Sequence, residues 1–281
     1  MPNYTYVAGY ESTSPEAAQF FALIRRVFSL DLSPLAALDW QATGYRCHSL
    51  LHDGLMVANV SALRMTLQVL GEPVSAVQLG AMAVDPDHRG HGLARQVLER
   101  ALGEYADGQR MLLFANESVL DFYPRFGFRP VPQYTAVYEL PAATPTVPVP
   151  AALPADSAEA QFLLSQPAVC SAVLDARDNP LALWANVHLV CPDCLYTLGE
   201  DRAMMAQQQG DTLRIFDVFS PGPFDLVEWA AWPGVRRLRF HFNPDWLGLP
   251  LVWQPDPDEA MFVRGPWPDL PPFCFPATAK T

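Results

Sequence analysis

Two stretches of this 281-residue chain hold side chains whose types and spacing could do chemistry. The first is "AVDPDHRGHGLARQVLERAL", residues 83–102, which contains Arg89-Gly90-His91-Gly92-Leu93-Ala94. A helix that starts near Gly90–Gly92 leaves its first N–H groups unpaired and turns its positive dipole end outward. Glycines let a bulky anion approach that backbone closely, and Arg89, His88, His91 and Arg95 make the neighbourhood basic. The local pattern is that of an anion site, although a G-x-G after a strand is also a common tight turn. It is not a dinucleotide fingerprint, because Arg95 stands where the third glycine would be. It is not a P-loop, because the closing Lys-Ser/Thr is missing. His88 and His91 have no third ligand at helical spacing, so no metal is expected there. The second stretch is "NESVLDFYPRFGF", residues 116–128, with Asn116, Tyr123 and Gly127-Phe128. An aromatic packed beneath "RFGF" is the plainer reading of Tyr123.

These residues need a frame to hold them. "YTYVAGY" reads as a short strand, and Ser14-Pro15-Glu16 offers an N-cap, a first-turn proline and a first-turn acid. The next helix, "EAAQFFALIRRVF", carries Phe20, Phe21, Leu23, Ile24, Val27 and Phe28 largely on one face. A second helix is expected near "SPLAALDWQA". "YRCHSLL" and "GLMVANVSALRMTLQVL" read as strands joined at an Asp53-Gly54 hairpin turn. "VQLGAMAV" is an apolar strand running into the Gly-rich turn. In "GLARQVLERALGEYA", Leu93, Val97, Leu98, Ala101, Leu102 and Tyr105 recur at helical spacing. "RMLLFA" is a buried strand, "ESVLDFYPRF" a short helix stopped near Pro124 and Gly127, and "YTAVYEL" a closing strand. A strand, Gly-rich turn, helix and strand in succession is the setting in which an anion loop has physical meaning.

Arg89-x-x-Gly92-x-Ala94, between an apolar strand and a helix, resembles the acyl-CoA pyrophosphate motif of the GNAT N-acetyltransferase superfamily. The downstream Asn116, with Tyr123 seven residues on and Gly127-Phe128 after it, resembles that family's next signature. The resemblance covers residues 1–140. It implies an α/β (α+β) fold with a mixed central sheet and flanking helices, and acetyl-CoA as cosubstrate. It further implies that Met82-Ala83-Val84, at the end of a strand that splays from its neighbour, offer backbone donors to the pantetheine arm and the thioester carbonyl. By the same resemblance Arg89, Gly90, His91, Gly92, Leu93 and Ala94 wrap the pyrophosphate. Asn116 would then bond the cofactor near the scissile end, and Tyr123 would protonate the departing thiolate. An alkyl amine has a pKa of about 10, so it must lose a proton before it attacks. Glu139, His48, His52 and Asp85 are all candidate bases by type, and no spacing singles one out.

The composition bounds what surrounds this site. Half the residues are hydrophobic and 17% are charged, enough for a sizeable core. The net charge of −12 argues against a nucleic-acid partner and leans weakly toward a cationic acceptor. No apolar run approaches the roughly 20 residues that span a bilayer. The first residues lack the basic start and apolar core of a secretion signal, so a cytoplasmic location without membrane contact is expected. The five cysteines read as reduced thiols, with Cys191-Pro-Asp-Cys194 two packed cysteines rather than half a zinc site or a redox pair.

"LPAATPTVPVPAALPAD", residues 140–156, holds five prolines and reads as a stiff linker. Twenty of the 28 prolines and six of the seven tryptophans lie after residue 140, so the chain is cut at 141–155. Residues 156–281 form a second, smaller α/β domain that faintly resembles a degenerate half of the same superfamily. Ser220-Pro221-Gly222-Pro223 replaces the Gly-rich turn there, and its prolines remove N–H donors, so no CoA is expected in that half. That half is a packing module, or a wall of the acceptor cleft or a homodimer surface built with Trp229, Trp232 and Trp246. The expected activity is acetyl transfer to a primary amine of a small molecule or peptide. A non-catalytic acyl-CoA sensor and a structural partner remain open beside it.

Overall fold

The computed structural model describes residues 3–116, 119–166, 168–256 and 260–281, with the side chains of 177 and 178 left aside. In chain order the elements of the first half are β1 (Thr5–Ala8), α1 (Pro15–Phe28), β2 (Tyr45–His52), β3 (Leu55–Val69), β4 (Glu72–Val84), α2 (Leu93–Leu102), β5 (Met111–Ala115), β6 (Arg129–Val131) and β7 (Tyr134–Glu139). Those of the second half are α3 (Ala158–Ser165), β8 (Leu174–Asp178), α4 (Pro180–Ala185), β9 (Leu195–Thr197), β10 (Ala203–Gln209), β11 (Thr212–Phe219), α5 (Val227–Ala230), β12 (Arg237–Phe240), β13 (Val252–Pro255) and β14 (Ala260–Arg264).

Local chemistry accounts for most of the first half. Ser14 accepts from the Ala17 N–H at 3.2 Å and caps α1, and Pro15 opens the helix where its missing N–H costs nothing. Asp53 and Gly54 both adopt positive φ, 50° and 79°, as a two-residue hairpin turn between β2 and β3 requires. The helix expected near "SPLAALDWQA" is only a 3-10 turn over Ser33–Ala37, whose N-terminal Leu32 supplies no side-chain cap. The expected "ESVLDFYPRF" helix begins outside the described residues, and its second half is a 3-10 turn over Tyr123–Phe126. The expected break at Pro167 also lies outside them.

Eight strands build the first sheet in the order β1-β2-β3-β4-β5-β14-β6, with β8 also paired to β3. α1 packs on one face with Phe20, Phe21 and Ile24 around Trp40, and α2 packs on the other with Leu93, Val97, Leu98 and Ala101. The second sheet has six strands in the order β13-β7-β12-β11-β10-β9. β7, read in the sequence as closing the first half, is a strand of this second sheet, bonded on both edges by β12 and β13. Its Ala136 and Tyr138 pack in the second core, which explains the placement. In return β14 fills the gap between β5 and β6 in the first sheet. The two halves therefore exchange a strand across the Pro-rich stretch. Residues 141–155 form no helix or strand of their own but run along the second sheet: the Val147 N–H reaches the Ala231 carbonyl at 2.8 Å and the Leu153 N–H reaches that of Leu195 at 2.8 Å.

One further expectation changes. Cys191 and Cys194 form a disulfide, their Cα atoms 5.4 Å apart across a turn in which the Cys194 N–H donates to the Cys191 carbonyl. Cys47 and Cys274 are buried thiols, and Cys170 is half-buried. Trp229, Trp232 and Trp246 pack in or against the second core, in keeping with the packing-module reading, and Trp232 also lines a hollow beside Cys191 and Cys194. No helix among the described residues is long and apolar enough to cross a membrane.

Candidate active site

β4 and β5 run parallel, but they pair only from Val77↔Met111 to Leu79↔Leu113. Beyond that point β4 continues to Val84 and β5 to Ala115 with a gap between them, the splay that the resemblance implied. The cause is a bulge on the other edge of β4. Ser61 of β3 faces Gly80 and Asn59 faces Ala83, so Ala81 and Met82 together oppose Val60 alone. Ala81 sits in the left-handed region at φ 46°, a strained place for a side chain with a Cβ. Asn59 holds the bulge: fully buried, its Nδ2 donates to the Ala81 carbonyl at 3.0 Å and to Ser61 Oγ at 3.1 Å, while Ser49 Oγ donates to its Oδ1 at 2.8 Å. A bulge bends its strand and increases its twist, which turns the far end of β4 away from β5.

The gap opens into a cavity of about 370 Å³, with Gly80, Ala81 and Met82 on one wall and Phe114, Ala115 and Asn116 on the other. A second hollow of about 350 Å³ shares Met82, Val119 and Tyr123 with it and reaches Ala94 in the first turn of α2. Tyr123 therefore stands where the two spaces meet. The phenol is 6% exposed, edge-on to Phe122 and Phe128, and burial pushes its pKa up to about 12. It carries its proton throughout the neutral range. Gly127 closes the turn that presents it, at φ 81°.

The Gly-rich turn is open. Gly90 and Gly92 have φ of 81° and 72°, and a Cβ built on either would meet nothing within 4 Å. Arg89, Gly90, His91 and Gly92 are exposed, no side chain caps α2, and the first helical bond runs from the Gln96 N–H to the Gly92 carbonyl. The early N–H groups of α2 thus face open space with a positive dipole end behind them.

The predicted site residues divide into three groups. Met82, Asn116 and Tyr123 line the cavity, and Ala94 lines its neighbour. Arg89, Gly90, His91 and Gly92 form the exposed mouth of the turn. Ala83 and Leu93 are buried in the cores, and Val84 packs partly buried against the α2 core, so these three could serve only through their backbone. His91 Nδ1 lies 3.2 Å from the His88 carbonyl, and His88 Nδ1 lies 3.7 Å from Asp85.

None of the four candidate bases lines the cavity. Glu139 sits in the second sheet beside Arg237, at 3.6 Å. Asp85 is engaged by Arg26 at 2.8 Å, and His52 lies near Asp53 at 3.7 Å. His48 is buried, with Nδ1 2.7 Å from the Tyr6 hydroxyl, and burial pushes its pKa down to about 4 against the pull of Glu104.

The rest of the cavity wall was invisible in the motifs. Leu181, Ala185, Asn186 and Val190 from the second half line it, together with Lys280 and Thr281. Gln78, fully buried, donates to the Ala279 carbonyl at 2.8 Å and accepts from the Thr281 N–H at 2.9 Å. Asn186 donates to the carbonyls of Thr278 and Lys280, and Thr278 bonds Asp217. This tail passes so close to Gly80 that a Cβ there would lie 2.9 Å from Thr281 Oγ1. Amide side chains that receive a distant backbone have no local sequence signature.

Residues 11–131 match the sequence model of the acetyltransferase (GNAT) domain. That segment is a GNAT domain. The fold of nearly the whole chain recurs in solved structures. A conserved protein of unknown function from Enterococcus faecalis V583 superposes with a TM-score of 0.63 at 13% identity, covering 92% of this chain and 72% of its own. Eis1 from Mycobacterium abscessus gives 0.58 at 17% identity over 93% and 73%. A GCN5-related N-acetyltransferase from Anabaena variabilis gives 0.58 at 14% over 93% and 72%. At these identities the likeness is one of fold. No curated protein sequence matches the chain significantly. The GNAT domain ends before β7, so the second half, which supplies part of the cavity wall, lies outside it.

Proposed function

We propose that this protein is an N-acetyltransferase that moves acetyl from acetyl-CoA directly to a primary amine. The observation that carries this reading is the gap between β4 and β5, which leads from the open first turn of α2 to a buried, protonated Tyr123. An acyl-CoA fits the residues present: an uncapped Gly-rich helix start suits a pyrophosphate, and an unpaired strand edge suits an amide-bearing arm. Bound there, acetyl-CoA supplies an activated acyl thioester.

The chain's own groups then have defined tasks. The turn at Arg89–Ala94 and the early α2 amides hold the pyrophosphate. The edge of β4 at Met82–Val84 offers N–H groups to the arm and to the thioester carbonyl oxygen, whose growing negative charge they stabilise. Asn116 positions the arm near its reacting end. Tyr123 donates its proton to the sulfur as the C–S bond breaks, a proton that its raised pKa keeps in place at neutral pH until then. No cysteine nucleophile enters, since the amine attacks the acyl carbon itself.

The test is thiol release from acetyl-CoA in the presence of an amine panel, with the Tyr123→Phe variant alongside. The wild type should turn over. The variant should lose roughly 100-fold or more in kcat, the usual contribution of a general acid, while CoA affinity stays within about twofold. Unchanged turnover removes Tyr123 from the chemistry. Tight CoA binding without thiol release from any amine would instead support an acyl-CoA sensor, the reading favoured by the absence of all four candidate bases from the cavity wall.

A further inference from the structure

The wall of the cavity that faces away from α2 has a chemistry of its own. Ile24 of α1 and Leu32 and Leu35 of the following 3-10 turn line it with Leu181 and Ala185 of α4, so it is built from aliphatic groups. No Asp, Glu, Arg or His side chain lines the cavity among the described residues. Among the described residues Lys280 is the one cation there, with its Nζ 4.7 Å from the centre of the Phe114 ring. A second observation concerns the rim. Phe28, Leu30 and Val190 are 47%, 43% and 69% exposed, yet all three line the same cavity. A cluster of large apolar side chains left in water at the mouth of a pocket marks a surface that something apolar covers.

We infer that the acceptor is an amine on an apolar skeleton carrying at most one positive charge, such as an arylalkylamine. This rests on the proposed acetyl transfer and names its substrate class. One ammonium group can enter because it must shed its proton before its nitrogen bonds the acyl carbon, the C–S bond breaks and CoA leaves as the thiol. The balance is ammonium plus thioester giving amide, thiol and one released proton. Each further ammonium of a polyamine or a lysine-rich peptide would be stripped of water against aliphatic walls. The skeleton of an arylalkylamine would instead bury Phe28, Leu30 and Val190. The net charge of −12 leans toward cationic acceptors, but among the described residues no acidic side chain lines this wall.

The test compares 2-phenylethylamine and tryptamine with spermidine and a lysine-rich peptide in the thiol-release assay. It uses the wild type and the variants Val190→Glu and Leu30→Glu, both at exposed positions that folding does not need. The apolar amines should be preferred in kcat/KM by about tenfold or more, the scale on which apolar pockets discriminate. Each variant should shrink or reverse that preference while CoA affinity is unchanged. Preference for spermidine or the peptide in the wild type overturns the inference, and so does an equal loss for every acceptor in both variants. A dimer that dissociates in Val190→Glu with acceptor preference untouched also overturns it, since a second copy would then cover the rim. If no amine releases thiol, calorimetric binding of tryptamine to the CoA-loaded protein separates the two ideas. Binding weakened by Val190→Glu keeps the acceptor class and removes the transfer reading, and no binding removes the acceptor class.

Discussion

Tyr123 and His48 show how burial sets what a single side chain can do. Both lose water, but burial raises the pKa of an acid that ionises to an anion and lowers that of a base that gains a proton. Tyr123 therefore keeps its proton at neutral pH, and His48 stays uncharged. The His48 shift has a stability consequence. Its folded pKa of about 4 lies below the unfolded value, so below about pH 6.5 the unfolded chain binds a proton that the folded chain refuses. Stability is then highest above pH 6.5 and falls as the pH drops toward 4. A histidine shifted in this way costs about 2 kcal/mol between pH 7 and pH 5. Thermal melts across that range should show the loss, and His48→Gln should flatten it. A variant with the same acid sensitivity as the wild type would show that other groups dominate. His241, lowered to about 3 by burial with Arg214, Arg239 and Lys280 nearby, acts in the same direction and should leave a residual slope.

At the scale of elements, the site is the product of two interruptions. The bulge at Gly80–Met82 parts β4 from β5, and the uncapped start of α2 leaves amides free. The second interruption can be tested alone. Arg89→Ala together with Gly92→Asp removes a cation, strains a residue at φ 72° and places a carboxylate where a pyrophosphate would sit. CoA affinity measured by calorimetry should fall about 100-fold or below detection, with the melting temperature lowered only modestly, because the turn is exposed. Retained CoA affinity would move the phosphate site elsewhere. The turn was legible in the sequence because glycine spacing, a flanking arginine and an amphipathic helix just after them all lie within twenty residues. The bulge was not legible. Its parts, Asn59 on β3 and Ala81 on β4, lie on different strands and carry no unusual residue type.

The whole molecule exchanges strands between its halves, and this limits how it can be divided. β14 covers the edge of β5 in the first sheet, and β7 sits inside the second. A fragment of residues 1–140 would leave β5 with an open edge and β7 without partners, and would lose the second-half wall of the cavity. Expressed alone, it should aggregate or melt without a cooperative transition, where the full chain gives one; calorimetry decides. A soluble fragment that melts cooperatively and binds CoA would show that the exchange is dispensable.

What the sequence determined by itself was local: the cap of α1, the Asp53-Gly54 hairpin, the Gly-rich turn, and Asn116 and Tyr123 at their spacing. Each depends on residues close together in the chain, whose types dictate φ, capping or helical face. What only the tertiary structure decided was contact between distant residues. The β14 insertion joins Met261 to Phe114, and the tail at Lys280–Thr281 reaches Gln78. The apolar cavity wall brings α1 to α4 across some 150 residues of chain. Such contacts come from burial, which is non-directional and leaves no motif in the segments that make it.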